Sequence, residues 1–411
     1  MPARMPNVVF VAPFALDTTM RFVRSVAKVP GIRLGIISQE PLQRMPEDLR
    51  GALSSYEVVS DALDPDQLTA AIRRLAPGWG GVVDRLVGVL EQLQVPMAQV
   101  RERLGLPGMS VGTAQNFRDK SRMKNVLRQN GLPCAAHALA GTREEALAFG
   151  RKCGYPLVVK PPDGAGAKHT ARVDDEEQLS SFLRTVPMSP AEPILLEEFI
   201  IGREHSFDSA SVDGNHVFHS ISRYYPTPLE VMESPWIQWC VLLPRKIDTP
   251  EFDDIREAGR KALDCLGMDT GLTHMEWFRR EDGSIAISEV AARPPGAQFT
   301  TLLSYAHDRD FYAAWAQLVS TGHFEVPERK FAAGAAFLRG QGAGRVVAVE
   351  GIEEIKESIG DLVVEAKLPR YGQSQASSYE GEGYVILRHP ETEAVEEALG
   401  RLVRTIHVEL G

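Results

Sequence analysis

The feature that most constrains the fold is a regular alternation of short apolar runs with helical patterns near the start of the chain. Residues 7–14 (NVVFVAPF) and 32–38 (IRLGIIS) are apolar runs of strand length, and residues 18–28 between them carry apolar side chains at helical spacing. Strands and helices that alternate in this way form a parallel sheet covered by helices. We therefore predict an α/β domain over residues 1–112.

The length, net charge and cysteine content of the chain indicate which classes of protein it can belong to. A chain of 411 residues exceeds one compact core, and its net charge of −10 argues against broad binding to nucleic acid. The four cysteines, Cys134, Cys153, Cys240 and Cys265, show no metal-ligand spacing, so we interpret them as reduced packing residues. No stretch reaches the roughly 20 apolar residues needed to cross a bilayer. We predict a soluble, cytoplasmic protein without nucleic-acid or membrane partners.

The remaining patterns divide the chain into further units. The spacing predicts one helix over residues 114–130, which ends at an Asn-Gly pair followed by proline. Two strands and two helices then predict a small lobe at about 135–198, and alternating residues around Asp213 and Gly214 predict a hairpin. We assign 113–325 to a central domain and 326–411 to a carboxy-terminal domain.

A first candidate site follows the strand YPLVVK, which ends at Lys160. The next residues, PPDGAGAKHT, form a loop with Gly164 and Gly166. An ammonium group beside free backbone N–H groups is an arrangement that binds phosphate. The same residues are equally compatible with a simple hairpin turn. The loop matches neither of the two commoner glycine-rich nucleotide motifs.

A second candidate site is a pair of carboxylates on neighbouring strands. Glu276 and Glu289 lie at equal distances on either side of a turn at Asp282 and Gly283, so antiparallel pairing brings them together. Each lies between apolar residues, and two like charges in such a place need a cation. Two carboxylates with phosphate oxygens are a usual set of Mg²⁺ ligands. The alternative is that they are two exposed positions on a hairpin.

Arg293 follows four residues after the second carboxylate, in the segment EVAARPPGAQ. A guanidinium at this distance could neutralise the charge that builds up on a transferring phosphoryl group or on an acyl phosphate. On the residue alone, the favoured interpretation is an ordinary surface arginine stacked on Pro294.

Together these motifs resemble the ATP-grasp superfamily, which includes biotin carboxylase, D-alanine–D-alanine ligase and the bacterial L-amino acid ligases. FRDKSRMK, with Lys120, resembles the first phosphate-binding lysine of the family. YPLVVKPPDGAGAKHT resembles its second lysine and glycine-rich loop, which implies phosphate contacts at Lys160, Gly164 and Gly166.

ILLEEFIIGRE resembles the hinge strand of the family. The resemblance implies that Glu197 and the backbone of Phe199 and Ile200 contact adenine, and that Glu204 contacts the ribose. HMEWF and ISEVAARPPG resemble the two metal-binding strands. This resemblance implies that Glu276 and Glu289 bind magnesium, and that Arg293 and Lys160 are catalytic.

The resemblance covers nearly the whole chain. It implies an α/β, ATP-grasp fold with an amino-terminal Rossmann-like pre-grasp domain and a carboxy-terminal α+β closing domain. It also implies that ATP and Mg²⁺ bind, and that a carboxylate is activated as an acyl phosphate and passed to an amine. Two positions depart from the family pattern. Ala291 stands where many relatives have a metal-binding Asn, and Ala167 stands where Ser or Gly is common.

Within the superfamily, GLTHMEWF and EVAARPPG look nearest to the L-amino acid ligases. We therefore expect small carboxylate and amine substrates, and we leave a homodimer open. A biotin-carboxylase-like or formyl-transferring enzyme is one alternative, and a non-catalytic nucleotide-binding regulatory subunit is another. The aromatic-rich segment 220–245 fits a substrate wall and core packing equally well.

Overall fold

The computed structural model describes residues 5–162, 170–234 and 237–411. Gly164 and Gly166, which we predicted as phosphate contacts, lie outside these residues.

The amino-terminal part is a parallel α/β unit. Its strands and helices are β1 (Asn7–Val11), α1 (Asp17–Ala27), β2 (Arg33–Ser38), α2 (Glu47–Arg50), β3 (Ser55–Val58), α3 (Pro65–Leu75), β4 (Arg85–Val87) and α4 (Gln94–Leu104). The strands are parallel in the order β3-β2-β1-β4. All five residues of β1 are buried because helices cover both faces of the sheet, as its continuous apolar sequence predicts.

Two helices connect this unit to the next, α5 (Val111–Arg118) and α6 (Lys120–Gln129). The prediction of one helix over 114–130 was wrong, because the chain leaves helical geometry at Asp119, where φ is −94° and ψ is 108°. The Asp119 side chain accepts a hydrogen bond of 2.9 Å from the backbone N–H of Arg122 and caps the second helix. Lys120 therefore lies in the first turn of α6.

A small lobe follows, with a four-stranded antiparallel sheet in the order β5-β8-β6-β7. Its elements are β5 (His137–Ala140), α7 (Arg143–Cys153), β6 (Leu157–Lys160), β7 (Ala171–Val173), α8 (Glu176–Phe182) and β8 (Ile194–Glu198). Leu157, Val159 and Leu196 are buried against the two helices. The next residue after Val159, Lys160, faces the opposite side of this sheet because side chains alternate along a strand.

The remaining chain builds one large antiparallel sheet and the helices packed on it. Its elements are β9 (Gly202–Val212), β10 (Asn215–Tyr225), α9 (Pro228–Glu233), β11 (Trp239–Leu243), α10 (Asp253–Leu266), β12 (Gly271–Arg280), β13 (Ile285–Ala291), α11 (Phe299–His307), α12 (Phe311–Thr321), β14 (Ala332–Leu338), β15 (Gln341–Gly342), β16 (Val346–Glu350), α13 (Ile352–Ile359), β17 (Val363–Lys367), β18 (Gly383–His389), α14 (Thr392–Thr405) and β19 (His407–Leu410). Eight strands pair in the order β13-β12-β9-β10-β11-β14-β18-β17, and β15-β19-β16 form a small separate sheet.

This eight-stranded sheet runs across the domain boundary that we predicted at residue 325. Strands β14, β17 and β18 extend the sheet that begins with β9 to β13. The division into domains therefore stays a proposal. Among the helices that the structure describes, none combines the length and the apolar character needed to cross a membrane.

The two faces of the large sheet differ in chemistry. On one face Phe207, Met275 and Trp277 pack against Ile255 of α10 and its neighbours. Ser206 and Asp208 flank Phe207 on β9 and point to the other face, where they are joined by a hydrogen bond of 2.7 Å. That polar face lies toward the small lobe.

Candidate active site

A cavity of about 840 Å³ is lined by residues of the small lobe, the eight-stranded sheet and helix α6. It brings together every predicted site residue that lies in the described part of the chain: Lys120, Lys160, Glu197, Phe199, Ile200, Glu204, Glu276, Glu289 and Arg293.

The two predicted metal ligands are direct cross-strand partners. Glu276 of β12 pairs with Glu289 of β13, and the register then shifts before Trp277 pairs with Ile287. The shift leaves Ser288 as the extra residue of a bulge. Since directly opposed residues point to one face, both carboxylates lie on the cavity side.

These carboxylates fit the requirements of a Mg²⁺ site shared with phosphate. Glu276 and Glu289 keep side-chain exposures of 30% and 25%, so neither is sealed off from the cavity. Among the described residues no group of three or more His, Cys, Asp or Glu side chains is placed to hold a metal, so a bound ion would need non-protein oxygens as well. Ala291 also lines the cavity, and its methyl group offers no ligand.

Glu289 is held as an anion by the lysines around it. Its Oε1 lies 2.8 Å from Lys120 Nζ. Burial works to raise the pKa of Glu289, but Lys120 and Lys160 outweigh burial and lower this pKa. The carboxylate is therefore ionised before any metal arrives.

Glu197 forms the centre of a buried charge cluster. Its Oε2 lies 2.7 Å from Lys160 Nζ and its Oε1 lies 3.1 Å from Lys124 Nζ. Burial alone would raise the pKa of Glu197, but the two ammonium groups lower it to about 2. Lys124 also donates a hydrogen bond to the carbonyl oxygen of Ser288, in the bulge beside Glu289. The cluster thus joins β6, β8, α6 and β13.

These contacts place Glu197 differently from the adenine contact that the resemblance implies. Its carboxylate oxygens are directed to Lys124 and Lys160, which fixes both lysines. The backbone N–H of Phe199 donates to the carbonyl oxygen of Pro156 at 3.2 Å, which leaves its own carbonyl oxygen as the group to offer an adenine. Both positions line the cavity as predicted, and their roles toward adenine stay proposals.

Arg293 reaches the cavity from the segment after β13, and a side chain from the amino-terminal unit holds it. Its Nε donates to Glu91 Oε2, and its Nη1 donates to the Pro294 carbonyl oxygen at 3.0 Å. Burial works to lower the pKa of Arg293, but Glu91 outweighs burial and raises this pKa. Arg293 is therefore a fixed cation, and not a mobile surface side chain.

A second buried carboxylate supports the metal-site strand through a histidine. Asp208 Oδ1 lies 2.6 Å from His274 Nδ1, and His274 Nε2 lies 3.6 Å from Glu276 Oε1. Burial favours the neutral imidazole, but Asp208 and Glu276 raise the pKa of His274 to about 10. On the same face, burial and the charge of Glu276 raise the pKa of Glu204 well above its usual value.

Aromatic side chains cover the end of the cavity beyond Arg293. Tyr224 packs edge-on against Trp239 with ring centroids 5.5 Å apart, and Trp239 packs against Tyr379 at 4.8 Å. Phe299 stands 5.9 Å from Tyr224. All four line the cavity and are also packed in the core. Tyr224 and Trp239 belong to segment 220–245, whose role as a substrate wall stays a proposal.

Sequence reasoning missed four residues of this site. Lys124 lies four positions after Lys120 on one helix face, and His274 lies two positions before Glu276 on one strand face. Either spacing could have revealed them. Asp208 and Glu91 are far from their partners in sequence, and no local pattern links them.

The central part of the chain is similar to known ATP-grasp proteins. Residues 125–307 match the family described as the ATP-grasp domain. The L-arginine-specific L-amino acid ligase of Bacillus subtilis is 25% identical over 228 residues, covering 54% of this chain and 54% of that protein. The alanine–anticapsin ligase of Bacillus subtilis strain 168 is 26% identical over 305 residues, covering 69% of this chain and 62% of that protein. The matches thus span less than two thirds of either relative.

A solved structure extends the likeness over the whole chain. The L-amino acid ligase from Bacillus licheniformis superimposes with a TM-score of 0.78 at 22% identity, and all of both chains is covered. At this identity the likeness concerns the fold. It confirms the predicted ATP-grasp architecture.

Proposed function

This chain carries an ATP-grasp domain, as its motifs predicted, and on that basis we propose that it is an ATP-dependent ligase that joins a carboxylate to an amine. The observation that carries the proposal is the meeting of three cations with a carboxylate pair in one cavity. Lys120, Lys160 and Arg293 provide the positive charge that phosphoryl transfer requires, opposite Glu276 and Glu289.

The nucleotide lies along the strand that joins the small lobe to the large sheet. The adenine occupies the cavity end at Phe199 and Ile200, and Glu204, which lines the same cavity, contacts the ribose. The phosphates extend toward Lys120 and Lys160. Both lysines are already fixed by carboxylates, so little rearrangement is needed for binding.

Glu276 and Glu289 would hold Mg²⁺, and the ion would supply positive charge that neutralises phosphate. His274 lies against Glu276 from the protein side and keeps that carboxylate oriented. Lys120 contacts Glu289 and from that position offers its remaining N–H donors to a phosphate oxygen.

The reaction proceeds in two steps. A substrate carboxylate oxygen bonds to the γ-phosphorus while the bond from that phosphorus to the ADP oxygen breaks. Lys160 and Arg293 stabilise the negative charge of the phosphoryl group in the transition state. The resulting acyl phosphate is attacked at its carbonyl carbon by an amine, which releases phosphate and a proton. The enclosed aromatic end of the cavity keeps water away from the acyl phosphate.

We place the substrates among amino acids. Two relatives are named as ligases of L-amino acids or of alanine, and the structural neighbour is also an L-amino acid ligase. The acceptor end of the cavity is bounded by Tyr224, Trp239 and Tyr379, which suit a small substrate with an apolar side chain.

The direct test incubates the protein with Mg²⁺ and ATP over a matrix of amino acids and small carboxylates. We expect one pair of substrates to release ADP and phosphate, with an amide of the same molar amount detected by mass spectrometry. Release that depends on bicarbonate or formate alone would favour the carboxylating or formyl-transferring alternative. No release with any pair, alongside measurable ATP binding, would favour a regulatory nucleotide-binding protein.

The metal assignment predicts the result of replacing Glu289 with glutamine. Removing one of two ligand charges should raise the Mg²⁺ concentration that gives half-maximal phosphate release by about tenfold, because Mg²⁺ affinity depends on the charge of its ligands. Glu281→Gln is the matched control, since Glu281 is exposed on the turn between the same two strands. An equal Mg²⁺ requirement in both variants would remove Glu289 from the metal site.

Glu91 should act as a positioning residue through Arg293. Glu91→Gln keeps a hydrogen-bond acceptor but removes the charge that fixes the guanidinium, so we expect kcat to fall by about tenfold, a typical cost for a supporting contact. The KM for ATP should change less than twofold. Steady-state kinetics separates the two, and a rise in KM at unchanged kcat would instead make Glu91 a part of substrate binding.

A further inference from the structure

A second cavity, of about 900 Å³, lies beside strand β10. Strand β11 pairs with β10 only from Arg223 to Tyr225, and the cavity lies next to the preceding residues of β10. Segments 245–249 and 326–329 and helix α10 form its other walls. We call it the β10 cavity. It shares no lining residue with the candidate active site, so its chemistry is independent of the proposed function.

The β10 cavity is positively charged although the chain as a whole carries −10. Its charged lining comprises four cationic and two anionic side chains, Arg245, Lys246, Arg260, Arg329, Asp248 and Glu328. The two histidines of the lining, His219 and His307, are uncharged at neutral pH because burial lowers their pKa to about 4. A concave surface of one sign concentrates the field and attracts ions of the opposite sign.

Arg329 is a half-buried residue of this lining, and the hydrogen bonding of its guanidinium is incomplete. Its Nη2 donates to Ser220 Oγ at 2.6 Å. Its Nε and Nη1 are buried and meet no acceptor in the described part of the chain. Burial lowers the pKa of Arg329 to about 10, so the group is still a cation at neutral pH. Buried N–H donors without a hydrogen-bond acceptor lower the stability of the folded protein, so a bound acceptor at this guanidinium would be favourable.

Neighbouring acidic side chains do not supply that acceptor. Asp248 lies 3.6 Å from Arg256 and 3.9 Å from His219, and no ion pair joins it to Arg329. The side chains of Lys246 and Arg260 likewise form no hydrogen bond or ion pair with any residue that the structure describes. Arg329, Lys246 and Arg260 thus line one cavity with N–H donors that no described residue accepts.

We propose that the β10 cavity binds a small oxyanion, through a phosphate or carboxylate group, on Arg329, Lys246 and Arg260. The planar guanidinium of Arg329 matches the paired oxygens that both groups present. Lys246 and Arg260 are exposed, so they close on the ion from the solvent side while Arg329 meets it from the buried side.

The position of the ion is tested by crystals of the full chain soaked in selenate, whose selenium is located by anomalous scattering. We expect a peak in the β10 cavity within hydrogen-bond distance of the Arg329 guanidinium. Selenate found only at Lys120 and Lys160 would overturn the proposal and leave the proposed function intact. A peak in the β10 cavity with none beside those lysines would support the proposal and weaken the phosphate site of the proposed function.

Affinity in solution is tested by calorimetric titration with inorganic phosphate and, separately, with malonate. The Lys246→Gln, Arg260→Gln double variant should bind the preferred anion at least tenfold more weakly, because it loses two charged donors. Lys261→Gln is the control, since Lys261 is exposed on the same helix and does not line the cavity. The anion that binds with the higher affinity shows whether the cavity prefers a phosphate or a carboxylate group. Equal binding by both variants and the parent would contradict the proposal.

Discussion

Replacing Arg293 with lysine should lower turnover by about 10²-fold or more while ATP affinity stays within a few-fold of the parent, the scale expected when one preorganised charge-stabilising donor is lost. A guanidinium can donate to two oxygens at once, whereas an ammonium keeps the charge as a single point. In the structure Arg293 is fixed by Glu91 and by its own chain at Pro294, so its remaining donors have a defined direction. The loss should therefore appear in the step where charge develops.

The effect on binding separates this role from simple phosphate binding. In the proposed binding mode Lys120 and Lys160 contact the ground-state triphosphate, and neither side chain is altered in the variant. Calorimetry with a non-hydrolysable ATP analogue gives the affinity, and the rate of phosphate release with the best substrate pair gives turnover. If affinity falls by the same factor as turnover, Arg293 binds the ground state and has no special role in catalysis.

A matched control guards against a general cost of the substitution. Arg279 is another arginine of the same hairpin, and it is paired with Asp254 at a side-chain exposure of 15%, against 22% for Arg293. It lies away from the cavity, in the part of the sheet that faces α10. Arg279→Lys should leave turnover within twofold of the parent. A comparable loss in both variants would point to a folding defect.

Many strands, helices and turns could be predicted from the sequence, because residues close together in the chain determine these local structures. The register of Glu276 and Glu289 was predicted by counting from the turn at Asp282 and Gly283, and the structure pairs them as expected. The bulge at Ser288 was not predicted. A bulge adds one unpaired residue to a strand, and no pattern in this sequence indicates where that residue lies.

The broken helix near residue 119 shows where local patterns mislead. The apolar spacing of residues 114–130 continues through Asp119, so a periodicity argument predicts one helix. Asp119 instead caps a new helix, and its capping places Lys120 where the backbone N–H contacts the Pro162 carbonyl oxygen at 3.2 Å. A tertiary contact selects between two local structures that the sequence permits.

Partners of the buried charges were the least predictable part of the site. Glu91 and Arg293 are 202 residues apart, and Asp208 and His274 are 66 apart. Pairing of β9 with β12 within the large sheet places Asp208 opposite His274, and packing of the amino-terminal unit against the large sheet brings Glu91 to Arg293. Glu197 shows the same limit, because no local pattern indicated that its carboxylate lies between Lys124 and Lys160.

That arrangement makes Glu197 the residue whose loss should destabilise the protein most. Glu197→Gln leaves Lys124 and Lys160 facing each other in the interior without a counter-charge, and we expect a cost of about 3–5 kcal/mol, the range for breaking a buried ion pair from one side. Hydrogen exchange of the β6 and β8 amides at pH 7 measures the local opening free energy. Glu177→Gln, an exposed change on α8, should leave that free energy unchanged.

The dependence on pH distinguishes a charge effect from a packing effect. The folded pKa of Glu197 is about 2, below its usual value of 4.5, so its ionisation contributes stability that is present above pH 4.5 and is lost as the pH falls toward 2. The difference in stability between parent and variant should therefore shrink over that window. Burial already lowers the pKa of Lys124 despite its partner, so in the variant Lys124 should lose its proton more readily and part of the stability should return at alkaline pH. Thermal unfolding midpoints of both proteins from pH 3 to 9 measure the two trends, and a difference that stays constant with pH would mean that Glu197 acts through packing alone.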